Sequence, residues 1–142
     1  MIGRARLRVR YPETDHMGVV HHSHYLTWFE LGRTELMRER GYPYAELERD
    51  GVFMPVVEAY CRYRSPARYD EELEVEAWIE SASRVRIEFG YRIVRPADGK
   101  VLATGKTVHV AADSSGAPRR ISQDAMGRLR LEAAAAGEAG PR

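Results

Sequence analysis

Apolar and polar residues change period several times along the chain, and each change marks an element. Residues 4 to 10 set Arg4, Arg6, Arg8 and Arg10 against Ala5, Leu7 and Val9. A period of two predicts a half-buried strand. From Tyr25 the period lengthens. Tyr25, Trp28, Phe29, Gly32, Leu36 and Met37 recur at spacings of three and four, with Glu30, Arg33, Glu35, Arg38 and Glu39 on the other faces. That is an amphipathic helix. Ser23 is placed to cap its start, and Gly41, ahead of Pro43, to end it. Gly32 inside the helix costs about 1 kcal/mol relative to alanine, so close packing against another backbone is expected there. A short second helix is expected over 43–50.

Alternation then returns. A strand over Val52 to Arg64 puts Val57, Ala59, Cys61 and Tyr63 on one face. A second, Glu72 to Glu80, alternates glutamates with Leu73, Val75, Ala77 and Ile79. After Ser81-Ala82-Ser83 a third sets Val85, Ile87, Phe89, Tyr91 and Ile93 against Arg84, Arg86, Glu88 and Arg92. Asp98-Gly99 turns into a last strand, from Lys100 to about Ala112. Clean alternation with short turns predicts an antiparallel sheet with one polar face, its glutamate row facing the arginine row of a neighbour. The plan is α+β: five antiparallel strands wrapped around one long central helix. A sheet with open edges favours a homo-oligomer. Residues 1–142 are read as one domain with a core over about 4–125 and a frayed tail at 133–142.

Charge narrows the partners. Charged residues make up 30% of the 142, yet the net charge is +1, so no global field draws the chain to nucleic acid or an anionic membrane. The strands mix arginine with glutamate instead of forming a basic stripe with stacking aromatics. No nucleic-acid partner is expected. No apolar run approaches the roughly 18 residues of a spanning helix, and the first residues enter the strand pattern without a signal-peptide core. Neither membrane insertion nor export is expected, which makes the localisation cytoplasmic. Cys61 is the single cysteine, so an intrachain disulfide and a cysteine-rich zinc site are excluded. It reads as a buried small hydrophobe.

The chemistry is concentrated in Tyr11 to Tyr25. Four of the five histidines, His16, His21, His22 and His24, fall in nine residues together with Asp15, and Glu13 is close by. The cluster ends where the long helix begins, and a helix start leaves backbone N–H groups unpaired and partly positive. A carboxylate beside such donors offers a nucleophile or base and a hole for a developing oxyanion, which acyl transfer requires. A metal site is disfavoured: adjacent His21 and His22 point in different directions, and no HExxH pair spans a helical turn. Glu13 reads as a structural or solvated loop residue, Glu58 as half of a cross-strand ion pair.

The run Tyr11-x-Glu13-Thr14-Asp15-x-x-Gly18-Val19-Val20-His21-His22-x-x-Tyr25-Leu26-x-Trp28-Phe29-Glu30 resembles the signature of the 4-hydroxybenzoyl-CoA thioesterase family, closest to its Tol-Pal-associated acyl-CoA thioesterase branch. Ser65-Pro66-Ala67-Arg68-Tyr69-Asp70 resembles a second family segment, and the likeness in order and length covers about residues 4–125. It implies the hotdog fold and hydrolysis of a short-chain or aromatic acyl-CoA. It places the catalytic carboxylate on Asp15, the loop glycine on Gly18 and the oxyanion-binding amide on His22. The substrate is expected along Val20, His21 and Tyr25, with Trp28, Phe29 and Tyr60 in an aromatic wall. The resemblance implies no metal or cofactor, and an active site at the interface of a dimer, alone or within a homotetramer. The coenzyme A phosphates require cations. Arg62, Arg64, Arg84, Arg86 and Lys106 are candidates, with Arg84 singled out at its hairpin. Dehydratase relatives of the fold use a catalytic histidine motif that is missing here. A non-catalytic acyl-thioester-binding or scaffolding protein would not need an acid at position 15.

Overall fold

Each period change becomes an element in the computed structural model, in which residues 1–131 are described. In chain order these are β1 (Gly3–Arg8), a 3-10 turn (Tyr11–Glu13), α1 (His24–Glu39), α2 (Tyr44–Arg49), β2 (Val56–Tyr63), β3 (Glu72–Ala82), β4 (Arg86–Arg95), β5 (Lys100–Val110) and α3 (Gln123–Leu129). The strands form one sheet in the order β1-β3-β4-β5-β2, with every neighbour antiparallel. The sheet wraps α1, so the expected α+β hotdog arrangement is present. The expected frayed tail, 133–142, lies outside the described residues.

The predicted stripe is the buried face of α1: Tyr25, Trp28, Phe29, Gly32, Leu36 and Met37 are all buried. Opposite them lie Val75, Ala77 and Ile79 of β3 and Ile87, Phe89 and Tyr91 of β4. Full burial of a side chain such as Phe29 or Leu36 stabilises by about 1.5–3 kcal/mol. At Gly32 a Cβ would lie 2.8 Å from Val75 Cγ1 and 3.3 Å from Ala77 Cβ. The helix therefore crosses β3 in close contact, against side chains and not the expected backbone.

The outer face of the sheet is polar. Arg4 and Arg6 of β1 pair with Glu74 at 3.1 and 3.2 Å, and Arg6 also reaches Glu72 at 2.5 Å. Arg92 of β4 pairs with Glu76 at 2.8 Å. The glutamate row thus faces arginines on both sides, mostly those of β1. Glu58 pairs with Arg86 at 3.5 Å, a cross-strand ion pair.

Two expectations change. Arg33, assigned to a polar helix face, is buried and donates from Nη1 to the Tyr91 hydroxyl at 3.2 Å. It opens a chain of hydrogen bonds through the core. Tyr91 Oη lies 2.5 Å from Thr107 Oγ1, Thr107 Oγ1 lies 2.8 Å from His109 Nε2, and His109 Nδ1 lies 2.9 Å from the Met54 carbonyl oxygen. The Met54 carbonyl can only accept, which puts a proton on His109 Nδ1. Burial keeps the ring neutral, so Nε2 accepts from Thr107 and every proton in the chain points toward Met54. His109 is neutral with its proton on Nδ1.

The second change concerns β2. It begins at Val56, with Phe53 making only an isolated bridge to Ala112. It closes the sheet at an edge and pairs only with β5, so all its residues but Cys61 are exposed. Cys61 itself is half-buried, not fully buried.

Candidate active site

A tight loop carries the carboxylate. Asp15 N–H donates to the Val19 carbonyl at 2.8 Å and Gly18 N–H to the Asp15 carbonyl at 3.1 Å, while Thr14 bridges Val20. Gly18 closes this turn at φ +79°, a conformation that costs a Cβ-bearing residue about 1–2 kcal/mol. Asp15 Oδ1 accepts from Met17 N–H at 2.8 Å and Val19 N–H at 3.3 Å. Oδ2 has no hydrogen-bond partner among the described residues.

Three anchors hold this loop against the start of α1. Val20 N–H donates to the Ala67 carbonyl and His21 N–H to the Glu13 carbonyl. Glu13 is buried, and its carboxylate accepts from Arg10 N–H at 2.8 Å and from Trp28 Nε1–H at 3.2 Å. It is a structural brace and not a solvated residue. Ser23 occupies the N-cap position, but its side chain makes no capping bond. Its N–H is taken instead by His21 Nδ1 at 3.3 Å. The His22 N–H has no partner among the described residues, as helix-start amides generally lack one.

Asp15, Val20, His22, Tyr25, Tyr63 and Arg64 line one cavity of about 350 Å³. The structure therefore brings together Asp15, Val20, His22 and Tyr25 of the site residues expected from sequence, with Arg64, one of the five cation candidates. Gly18 shapes the loop without lining the cavity, and the His21 ring points to Ser23, with Nδ1 2.8 Å from its Oγ. Arg84 is elsewhere: its Nε donates to the Ile121 carbonyl at 2.7 Å beside the β3–β4 hairpin. The aromatic wall is smaller than expected. Trp28 is bound to Glu13, Phe29 stacks on Tyr91 at 4.5 Å in the core, and Tyr60 lies on the outer face under Lys106.

Tyr63 was missed, and Arg64 was expected only as one of five cations for the coenzyme A phosphates. Tyr63 donates to the His22 carbonyl at 3.0 Å and packs edge-on against Tyr25 at 4.9 Å. It so fixes a residue that lines the cavity. Partial burial and the neighbouring Cys61 thiol push its hydroxyl up to about 12. Burial also raises Tyr25 and Cys61 above their ordinary values, so all three stay protonated near neutrality. The sequence signal for Tyr63 was its place on the helix-facing side of β2, but a contact across 41 residues leaves no local trace.

Residues 9–129 match the thioesterase-like superfamily. The chain belongs to this family. Over 107 residues it is 33% identical to the acyl-CoA thioester hydrolase YbgC of Escherichia coli, covering 75% of this chain and 79% of that one. A hypothetical protein from Thermus thermophilus has a similar structure, with a TM-score of 0.85 at 39% identity, covering 92% of this chain and 97% of that one. A Staphylococcus aureus DHNA-CoA thioesterase superposes with a TM-score of 0.80 at 32% identity over 84% and 80% of the two chains. Thioester hydrolysis is the enzyme class that follows from this membership. Among the described residues no helix is long and apolar enough to cross a membrane.

Proposed function

We propose that the protein is a cytoplasmic acyl-CoA thioesterase, acting on a short-chain or aromatic acyl-CoA as in the 4-hydroxybenzoyl-CoA and Tol-Pal-associated branches. One observation carries this: the cavity shared by Asp15 and His22, where a carboxylate oxygen and a backbone N–H both lack a partner among the described residues. The thioester oxygen takes the His22 N–H and the acyl carbon lies toward Asp15 Oδ2. That oxygen either attacks the carbon, giving an anhydride that water then opens, or removes a proton from the attacking water. In both routes the carbon–sulfur bond breaks and coenzyme A leaves as the thiol. The amide stabilises charge that develops on oxygen only in the transition state, and loss of one such donor costs about 10²–10³ in rate.

The enzyme works as a homodimer, alone or within a homotetramer, paired along the open edge of β2. Support comes from that edge: its backbone is unpaired on one side, and Val56, Val57, Tyr60 and Tyr63 are all about half exposed. An uncovered edge of this kind is a template for another chain.

The test is a panel of acyl-CoA thioesters, followed by free-thiol release, with wild type and Asp15→Asn. Asparagine keeps the carbonyl oxygen that accepts the two loop amides and replaces the free one. Turnover should fall at least about 10²-fold with folding intact. Equal rates would remove Asp15 from the chemistry, and a wild type that hydrolyses no thioester would favour a non-catalytic binding protein.

A further inference from the structure

The outer face of the sheet carries a cavity of about 770 Å³, bordered by Tyr60, Arg62, Arg64, Trp78, Arg92 and Lys106. At Gly90 the floor is the Trp78 indole, which packs onto the bare glycine; a Cβ at Gly90 would be 2.5 Å from Trp78 Nε1. Arg64 lines both this groove and the Asp15 cavity. The two spaces are therefore neighbours, one on each face of the sheet where β2 ends.

The charges in the groove are unevenly matched. Lys106 pairs with Glu88 at 3.2 Å, Arg92 with Glu76 at 2.8 Å, and Glu80 accepts the Trp78 indole N–H at 2.5 Å. Among the described residues Arg62 and Arg64 have no carboxylate and no side-chain hydrogen-bond partner. Every arginine on the five strands other than Arg62 is ion-paired. Both unmatched residues are exposed and lie two positions apart, Arg62 in β2 and Arg64 just past its end, which at the rise of an extended chain is about 7 Å. Two guanidinium forks at that spacing fit an anion with several oxygens, since each fork binds phosphate through paired N–H donors.

We infer that Arg62 and Arg64 hold the phosphates of the substrate's coenzyme A moiety, an inference that rests on the thioesterase reading above. The flexible pantetheine arm joins a thioester in the Asp15 cavity to phosphates in the outer groove, passing Arg64. The remaining cations expected from sequence are engaged: Arg84 by the Ile121 carbonyl, Arg86 by Glu58, Lys106 by Glu88 and the Tyr60 ring. A phosphopantetheine on a carrier protein shares part of this chemistry but lacks the nucleotide.

The experiment compares wild type with the double variant Arg62→Gln/Arg64→Gln on an acyl-CoA, on the same acyl group carried by N-acetylcysteamine, and on the same acyl group on acyl carrier protein. For the acyl-CoA, KM should rise roughly tenfold with kcat within about twofold, and the rise should shrink as salt is added. The phosphate-free thioester should lose at least fivefold less in kcat/KM. Calorimetry with free coenzyme A, which needs no turnover, should show binding weakened about tenfold. An unchanged KM for acyl-CoA would overturn the inference. So would an equal loss on the phosphate-free thioester, a loss confined to the carrier-protein thioester, or no binding of coenzyme A by wild type. If wild type hydrolyses no thioester yet binds coenzyme A through these arginines, the catalytic reading falls and this one stands.

Discussion

His109 makes the stability of this protein depend on pH in a calculable way. Its ring is fully buried at the end of the core hydrogen-bond chain. Burial first, and the Arg33 charge, hold its pKa down to about 4, against the Met54 carbonyl, which favours the cation. In the unfolded chain the ring titrates at the ordinary value of 6.5. The unfolded state therefore binds a proton below 6.5 that the folded state refuses until about pH 4. Stability is complete above 6.5 and declines as pH falls through that window. The gap corresponds to about 3 kcal/mol in full and about 2 kcal/mol by pH 5. Urea unfolding at pH 7 and pH 5 measures it, and a Tm difference of roughly 6–8 °C should accompany it. The informative comparison is with His109→Asn, which removes this ring alone. That variant loses packing against Phe89 and is less stable at both pH values. Its difference between pH 7 and pH 5 should be smaller than that of wild type by about 2 kcal/mol. If the two proteins show the same difference, His109 is not held neutral and the direction assigned to the chain is wrong.

Glu13→Gln puts an amide where two donors now meet one carboxylate, and it should cost about 2 kcal/mol in urea unfolding. Thiol release should slow as well, because the brace also carries the Asp15 loop; full activity would uncouple the two. Gly105→Ala places a Cβ 2.4 Å from both Phe29 Cε2 and the Tyr60 carbonyl oxygen. The edge strand must move, and unfolding should show a loss of about 1–3 kcal/mol. A neutral result would mean that β2 yields freely.

Much of this fold was readable from period alone. The stripe on α1 and the alternation of β3, β4 and β5 are local facts, and burial follows them residue by residue. The position of β2 was not readable, because its residues alternate like any strand's. Only the order β1-β3-β4-β5-β2 puts it at the edge, and that order is set by contacts between distant segments. Arg33 and His109 illustrate the same limit. Each is polar by type, and each is buried because a partner from another element accepts or supplies its proton. At the candidate site the loop and helix start were legible, since Asp15 and His22 are seven residues apart. Tyr63 ends β2 and Arg64 follows it, and nothing near either residue announces its meeting with Asp15. Arg84 drew attention by its place in a hairpin, a position that says nothing about which cations lack a counter-charge.

The two oxygens of Asp15 have separate duties. One is tied to Met17 and Val19 and gives the loop its shape, while the other is left for chemistry. The position therefore has no natural understudy. Asparagine can inherit the shape without the charge. Glutamate can inherit the charge, but its extra methylene displaces the oxygen that the two amides hold. A lineage that keeps the reaction has little freedom here, and one that gives up the reaction can still keep the loop with a single base change.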